Sequence, residues 1–295
     1  MAKVTVNDLL EAGVHFGHQR KRWNPKMKPY IYGVRHGVTI FDLTVTMRQL
    51  AKACEFLRQT AADGGSILFV GTKRQAREVV REAAEQTGMF HMCDRWLGGT
   101  LTNNQVIMTR ARHLTKLRQM DADGEIAKMP NKEASKARRE LSKLERSLSG
   151  IVNMRKLPDA MVVVDVERDD IAVREAKRLG ITVVAVVDSN CDPDLIDYVV
   201  PGNDDAVRAI RVLIDAMVTA VAEGRSQSGR DEGIPAAPGA EAAVAEAVPA
   251  EDATEESPVV AEEALVVTEE APVVAEEAPA EAAEEAAEEA PAKGE

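Results

Sequence analysis

Between Glu11 and Asp42 the chain carries no carboxylate. Those 30 residues hold Arg20, Lys21, Arg22, Lys26, Lys28 and Arg35, together with Phe16, Trp23, Tyr30, Tyr32 and Phe41, half of the ten aromatic residues. Fixed cations pair with phosphates and release counterions, and rings or guanidinium planes stack on bases. The plainer alternative is a basic loop lying over a core, with its aromatics buried beneath. The complete lack of acids favours a polyanion with flat faces, that is, nucleic acid. Trp23 and Asn24 lie inside the same run and join the candidate contacts.

Two further groups suit the same ligand. In RWLGGTLTNN (95–104), Thr100, Thr102, Asn103 and Asn104 crowd neutral hydrogen bonders beside Arg95 and Trp96, and Gly98 and Gly99 permit close backbone approach. Part of this set must cap the following helix; the remainder suits sugar hydroxyls and phosphates. In FVGTKRQ (69–75), Lys73 and Arg74 occupy a strand-to-helix turn, where α/β proteins bind phosphate. Lys73, Arg77 and Arg81 share a helix face, although pairing of Arg74 with Glu78 and of Arg81 with Glu85 competes.

Other chemistry is poorly supported. Only Gly71 is present of a dinucleotide fingerprint, and the P-loop pattern is missing. His15 and His18 have no cysteine or acid nearby in sequence to complete a metal shell. In DSNCDPD (188–194), Pro193 stands where a calcium loop needs Gly, and these acids fit turn capping instead. Asp165, Glu167, Asp169 and Asp170 follow a strand and precede a helix, where capping is the ordinary role. No nucleophile–base–acid set is visible, and the sequence asks for no cofactor, resident metal or small-molecule substrate.

The net charge of −12 averages two unlike pieces. Residues 231–295 hold one base and 20 acids; residues 1–230 hold 36 bases and 29 acids. A basic body and an acidic tail remove the objection to a polyanionic partner. Cys54, Cys93 and Cys191 are scattered, which fits a reducing compartment better than a disulfide framework. The amino terminus has no signal-peptide pattern, and no apolar run is long enough for a membrane span, so a cytoplasmic location is expected.

These groups need a frame. Thr5 with Asp8 caps a first helix, Val6–Ala12, stopped at Gly13. Pro25, Pro29, Gly33 and Gly37 prevent long regular structure in the basic segment, and Val38–Phe41 is a strand. Leu43, Met47, Leu50, Cys54, Leu57 and Ala61 form one apolar helix face, with Cys54 a core residue. Strands are expected at Ser66–Val70, Met89–Cys93, Ala160–Asp165, Ile181–Asp188 and Tyr198–Val200, and helices near Arg74–Thr87, Asp170–Leu179 and Asp204–Ala222. AMVVVD and ITVVAVVD are apolar throughout, as strands covered on both faces are. The fold class is therefore α/β, a doubly wound, mainly parallel sheet.

Residues 103–156 interrupt the alternation. Ala134, Ala137, Leu141, Leu144, Leu148 and Ile151 repeat at three and four, and Met108, Ala111, Leu114, Leu117 and Met120 form a facing stripe. Gly124 and Pro130 separate them. The pattern predicts an inserted antiparallel coiled-coil hairpin, basic on its exposed faces. The domains are thus 1–102 with 157–225, the insertion at 103–156, and a tail at 226–295. The tail is rich in Ala, Glu, Pro and Val, repeats PVVAEEA at 258–264 and 272–278, and is expected to be disordered.

GVHFGHQRKRWNPKMKPYIYG (13–33), ILFVGTKRQA (67–76), RWLGGTLTN (95–103), LPDAMVVVD (157–165) and DSNCDPDLIDYVVPGNDDA (188–206) together resemble the bacterial small-ribosomal-subunit protein S2 family. The resemblance implies an α/β sandwich with a protruding coiled-coil hairpin and a non-catalytic structural role. It implies binding to small-subunit ribosomal RNA, neighbouring small-subunit proteins, and help in recruiting ribosomal protein S1. It also maps Arg20–Trp23, Lys26 and Lys28, and then Arg95–Asn103, onto the family's basic motifs. The acidic tail departs from the shorter family pattern and inherits no role. Two rival readings stand beside this one. An enzyme would use Gly71–Arg74 with acids near Asp165 or Asp188, and a protein scaffold would act through the hairpin and tail.

Overall fold

The computed structural model describes residues 4–228; the stretch from 229 on, which contains nearly all of the acidic tail, lies outside the described residues. Helix α1 (Val6–Glu11) opens with the expected capping box, Thr5 Oγ1 accepting from the Asp8 amide and Asp8 from the Thr5 amide. Gly13, at φ 76°, turns the chain out of it.

The basic segment is more ordered than its prolines and glycines imply. It forms β1 (Phe16–Gln19), two short 3-10 turns at Arg20–Arg22 and Pro25–Tyr30, and β2 (Ile31–Arg35). A tight turn at His36 and Gly37, both at positive φ, leads into β3 (Val38–Phe41). The three strands make a small antiparallel sheet in the order β1-β3-β2.

The second sheet is parallel. It comprises β4 (Ile67–Val70), β5 (Phe90–Met92), β6 (Ala160–Val164), β7 (Thr182–Val187) and β8 (Tyr198–Pro201), in the order β5-β4-β6-β7-β8. Its inner strands are buried at every position of β4 and β6, as the valine-rich runs require. Side chains alternate between faces. Ile67, Phe69, Val162, Val164, Val184 and Val186 pack with α1, α2 (Leu43–Ala62), α3 (Arg77–Thr87) and α8 (Val207–Gln227). Leu68, Val70, Met161, Val163 and Val187 face the other way, towards α7 (Asp170–Leu179), Trp96, Met27 and Phe41. Each large apolar side chain so buried contributes about 1.5–3 kcal/mol. Cys54 packs against the first of these clusters, where burial pushes its thiol up to about 11.

Two helix starts differ from the sequence pattern. α3 begins at Arg77, because Lys73–Ala76 closes a separate turn on the Lys73 carbonyl. α8 begins at Val207, because Asn203 Oδ1 ties the amides of Asp205 and Ala206 into a turn ahead of it.

Between β5 and β6 lie α4 (Asn104–Ala122), α5 (Glu125–Lys128) and α6 (Asn131–Leu148), separated at Gly124 and Pro130. Ala111, Leu114 and Leu117 of α4 and Ala134, Leu141 and Leu148 of α6 are buried. A His113–Glu140 side-chain contact at 3.2 Å and the Arg118–Glu145 ion pair join the two helices. Among the described residues no helix is long and apolar enough to cross a membrane.

Candidate nucleic-acid interface

The small sheet sits on the loop that follows β7. Ser189 Oγ accepts from the His18 amide at 2.9 Å and from Thr39 Oγ1 at 3.0 Å, and the Ser189 carbonyl accepts from the Asn24 amide at 2.7 Å. The approach is close enough to exclude a side chain at Gly17. A β-carbon there would lie 2.6 Å from Thr39 Oγ1 and 2.9 Å from Ser189 Oγ. Lys26 adds an exposed pairing with Asp192 and Asp194. DSNCDPD is thus the seat of the basic arm as well as a capped turn.

The arm's remaining cations are unspent. The side chains of Arg20, Lys21, Arg22, Lys28 and Arg35 are exposed and have no ion pair or hydrogen bond among the described residues. Tyr32 stands 81% exposed among them. Trp23 is half-buried, and Asn24 uses its side-chain oxygen to hold the Lys26 amide.

Lys73 lies elsewhere. Its side chain is only 12% exposed, and its ammonium stands 2.6 Å from Asp205, 2.8 Å from Asp204 and 3.4 Å from Asp165. Burial works against its charge, but hydrogen bonds to Asp204 and Asp205 raise it far above the ordinary lysine value. Thr72 donates to buried Asp169 through both amide and hydroxyl, and accepts from Arg168. The carboxyl ends of β4 and β6 form the switch point where doubly wound sheets receive ligands. Here that crevice is filled by the protein's own ion pairs. Arg74, the next residue, is exposed and unpaired among the described residues.

The fold supplies His18 with acids that its sequence neighbourhood lacks. Its Nδ1 lies 3.0 Å from Asp188 and its Nε2 3.4 Å from Asp205. Asp188 foremost raises the ring to about 9, against the effect of burial. Burial, then the charges of Asp188 and Asp165, push Asp204 up to about 7. His18, Asp188 and Asp204, and also Asp165, Cys191 and Asp204, bring metal-ligating atoms within 4.8 Å of one another. Lys73 already places a positive charge 2.8 Å from Asp204, the member common to both groups.

RWLGGTLTNN proves to be a cradle for a residue that pattern reading missed. Glu175, on the buried side of α7, accepts from Trp96 Nε1, the Gly99, Leu101 and Thr102 amides, and Thr102 Oγ1. Burial acts to raise its carboxyl, and the hydrogen bonds overcome this and lower it. A glutamate among the apolar residues of α7, with buried Ala172, Val173 and Ala176 around it, was the available signal. Thr100 is fully buried and donates to the Leu97 carbonyl; Asn104 donates to the Thr100 carbonyl. Arg95 and Asn103 face outward. With Arg110 they border a pocket of about 350 Å³, lined also by Trp96, Val106 and Ile107.

The structure thus places Arg20, Lys21, Arg22 and Lys28 on the two 3-10 turns between β1 and β2 and Arg35 at the end of β2, and Arg95 with Asn103 at one pocket. It turns Lys73, Thr100 and the Thr102 hydroxyl inward. The sequence comparisons agree with the resemblance. The family described as ribosomal protein S2 matches residues 9–224. Small ribosomal subunit protein uS2 of Maridesulfovibrio salexigens is 47% identical over 258 residues, covering 88% of this chain and 98% of that protein. A match across that much of the chain, on the sheet and motifs just described, makes it a member of the ribosomal protein S2 family.

Proposed function

We propose that the protein is a non-catalytic structural constituent of the small ribosomal subunit in the cytoplasm, serving translation. It docks on small-subunit ribosomal RNA through the arm at 16–35 and the loops at Arg74 and Arg95–Asn104, with Arg20, Lys21, Arg22, Lys28 and Arg35 carrying most of the charge contact. Trp23 and Asn24 shape the arm. Lys26 exchanges Asp192 and Asp194 for phosphate on binding. Lys73, Thr100 and Thr102 support the surface from within. The single observation that carries this reading is the set of five exposed cations, unpaired among the described residues, within one 16-residue stretch of β1–β2 and its turns. Lys73, by contrast, is largely buried and paired with Asp204 and Asp205.

On the same reading, 103–156 is a coiled-coil insertion in an α/β domain made of 1–102 and 157–225. Neighbouring small-subunit proteins, S1 among them, are the protein partners. The enzymatic alternative loses its footing because its crevice holds Lys73 and the Thr72–Asp169–Arg168 bonds in place of open space.

Gradient sedimentation of cell extract tests the proposal. The protein is expected to co-migrate with small subunits and to leave them after RNase treatment. Migration unchanged by RNase, or persistent at high salt without subunits, would support a protein scaffold instead.

A further inference from the structure

We propose that the pocket between the Trp96–Asn103 loop and the first turns of α4 receives one unstacked base of single-stranded RNA, with Arg95 and Arg110 on its flanking phosphates. The inference rests on the RNA-binding reading above and specifies what one part of that surface recognises.

The pocket's free groups are of two kinds. Arg95 and Arg110 are exposed, and neither has an ion pair or hydrogen bond among the described residues. Asn103 precedes α4, yet its side chain caps no amide of that helix. Its amide therefore keeps both a donor and an acceptor for the edge of a base. The same pocket has an apolar part, lined by Val106, 46% exposed, and by buried Ile107 and Trp96.

A phosphate alone has no use for the apolar part, and an aliphatic ligand has none for two guanidinium groups. A flat heterocycle on a charged backbone uses both. The volume, about 350 Å³, lies in the range of clefts that enclose small ring systems. Residues 103, 106, 107 and 110 fall on one side of α4 by their spacing of three and four. The opposite wall is held by Glu175, which ties Trp96, Gly99 and Leu101 through its carboxylate. The pocket is therefore built before ligand arrives, which limits the ordering cost of binding. A base in a duplex would first have to leave its stack, so loops and unpaired strands are the fitting source.

The test uses the full chain and fluorescence anisotropy with two probes of equal length, an oligoadenylate and its abasic counterpart, beside intact small-subunit ribosomal RNA. The unaltered protein is expected to bind the base-bearing probe about tenfold more tightly, the worth of one base making an apolar contact and a hydrogen bond. Val106→Asp and Asn103→Ala should each reduce that preference to about twofold or less. Asn103→Ala removes no internal side-chain bond, so it keeps the fold even if Val106→Asp does not. Equal affinity for the two probes, or a preference untouched in Asn103→Ala, overturns the pocket while ribosomal RNA binding stands. Failure to bind ribosomal RNA at all overturns the parent reading and the pocket with it.

Discussion

The Gly99 amide donates to Glu175 Oε1 at 2.7 Å, joining residues 76 positions apart. That bond belongs to a set of five donors converging on one carboxylate. A loop with the composition of an anion-binding turn has thus found its anion inside the protein. Glu175→Ala should strand several buried donors and cost about 3 kcal/mol or more, read as a shift of the urea midpoint. Glu175→Gln, which keeps the shape and loses the charge, should cost less.

The acid-lined histidine predicts a pH dependence with a defined sign. His18 titrates near 9 in the folded protein against an ordinary 6.5. The folded state therefore holds this proton more tightly. The resulting stability is complete below pH 6.5 and is lost as pH rises through 9. Allowing for solvent at the ring, the loss is about 2 kcal/mol between those limits. Asp204, near 7, acts in the same direction at lower pH, because its proton too is favoured by folding. Urea melts across this window should show the decline, and His18→Gln should flatten it.

Lys73 and the arm cations should separate cleanly. Replacing Arg20, Lys21 and Arg22 with Ala should flatten the salt dependence of ribosomal RNA binding by about 2–3 in slope, at about 0.7–0.9 per phosphate, and barely change stability. Lys73→Ala should do the reverse. It strands Asp165, Asp204 and Asp205 and should cost about 3–5 kcal/mol, with the slope unchanged. Filter binding at several salt concentrations, beside denaturant melts, distinguishes the two.

Gly17→Ala tests the seat of the arm. The added carbon meets Thr39 and Ser189 at distances real contacts do not reach. Lifting the small sheet should cost about 1–3 kcal/mol. Hydrogen exchange should quicken at the β1 and β3 amides and leave β6 and β7 protected.

The main sheet was legible because its message is local. β6 and β7 are unbroken valine-rich runs, and α2 repeats its apolar face at helical spacing. The buried stripes of α4 and α6 match theirs equally well. What pattern could not show depends on contacts far along the chain. Gly17 looks like a breaker until Ser189 arrives against it, and His18 looks isolated until β7 delivers Asp188. Lys73 reads as a phosphate ligand because strand-to-helix turns often are; only the fold reveals three carboxylates waiting for it. The same contacts explain why α3 and α8 start late, since Lys73, Asp204 and Asp205 are held in the cluster ahead of them.

The plugged switch point also constrains redesign. A ligand cavity cannot be carved there one substitution at a time, since deleting Lys73 leaves Asp165, Asp204 and Asp205 without their shared cation and deleting Asp204 removes a buried hydrogen-bond partner of that cation. Converting this scaffold into a small-molecule receptor would require Lys73 and its acidic partners to be exchanged together for neutral residues of matching bulk.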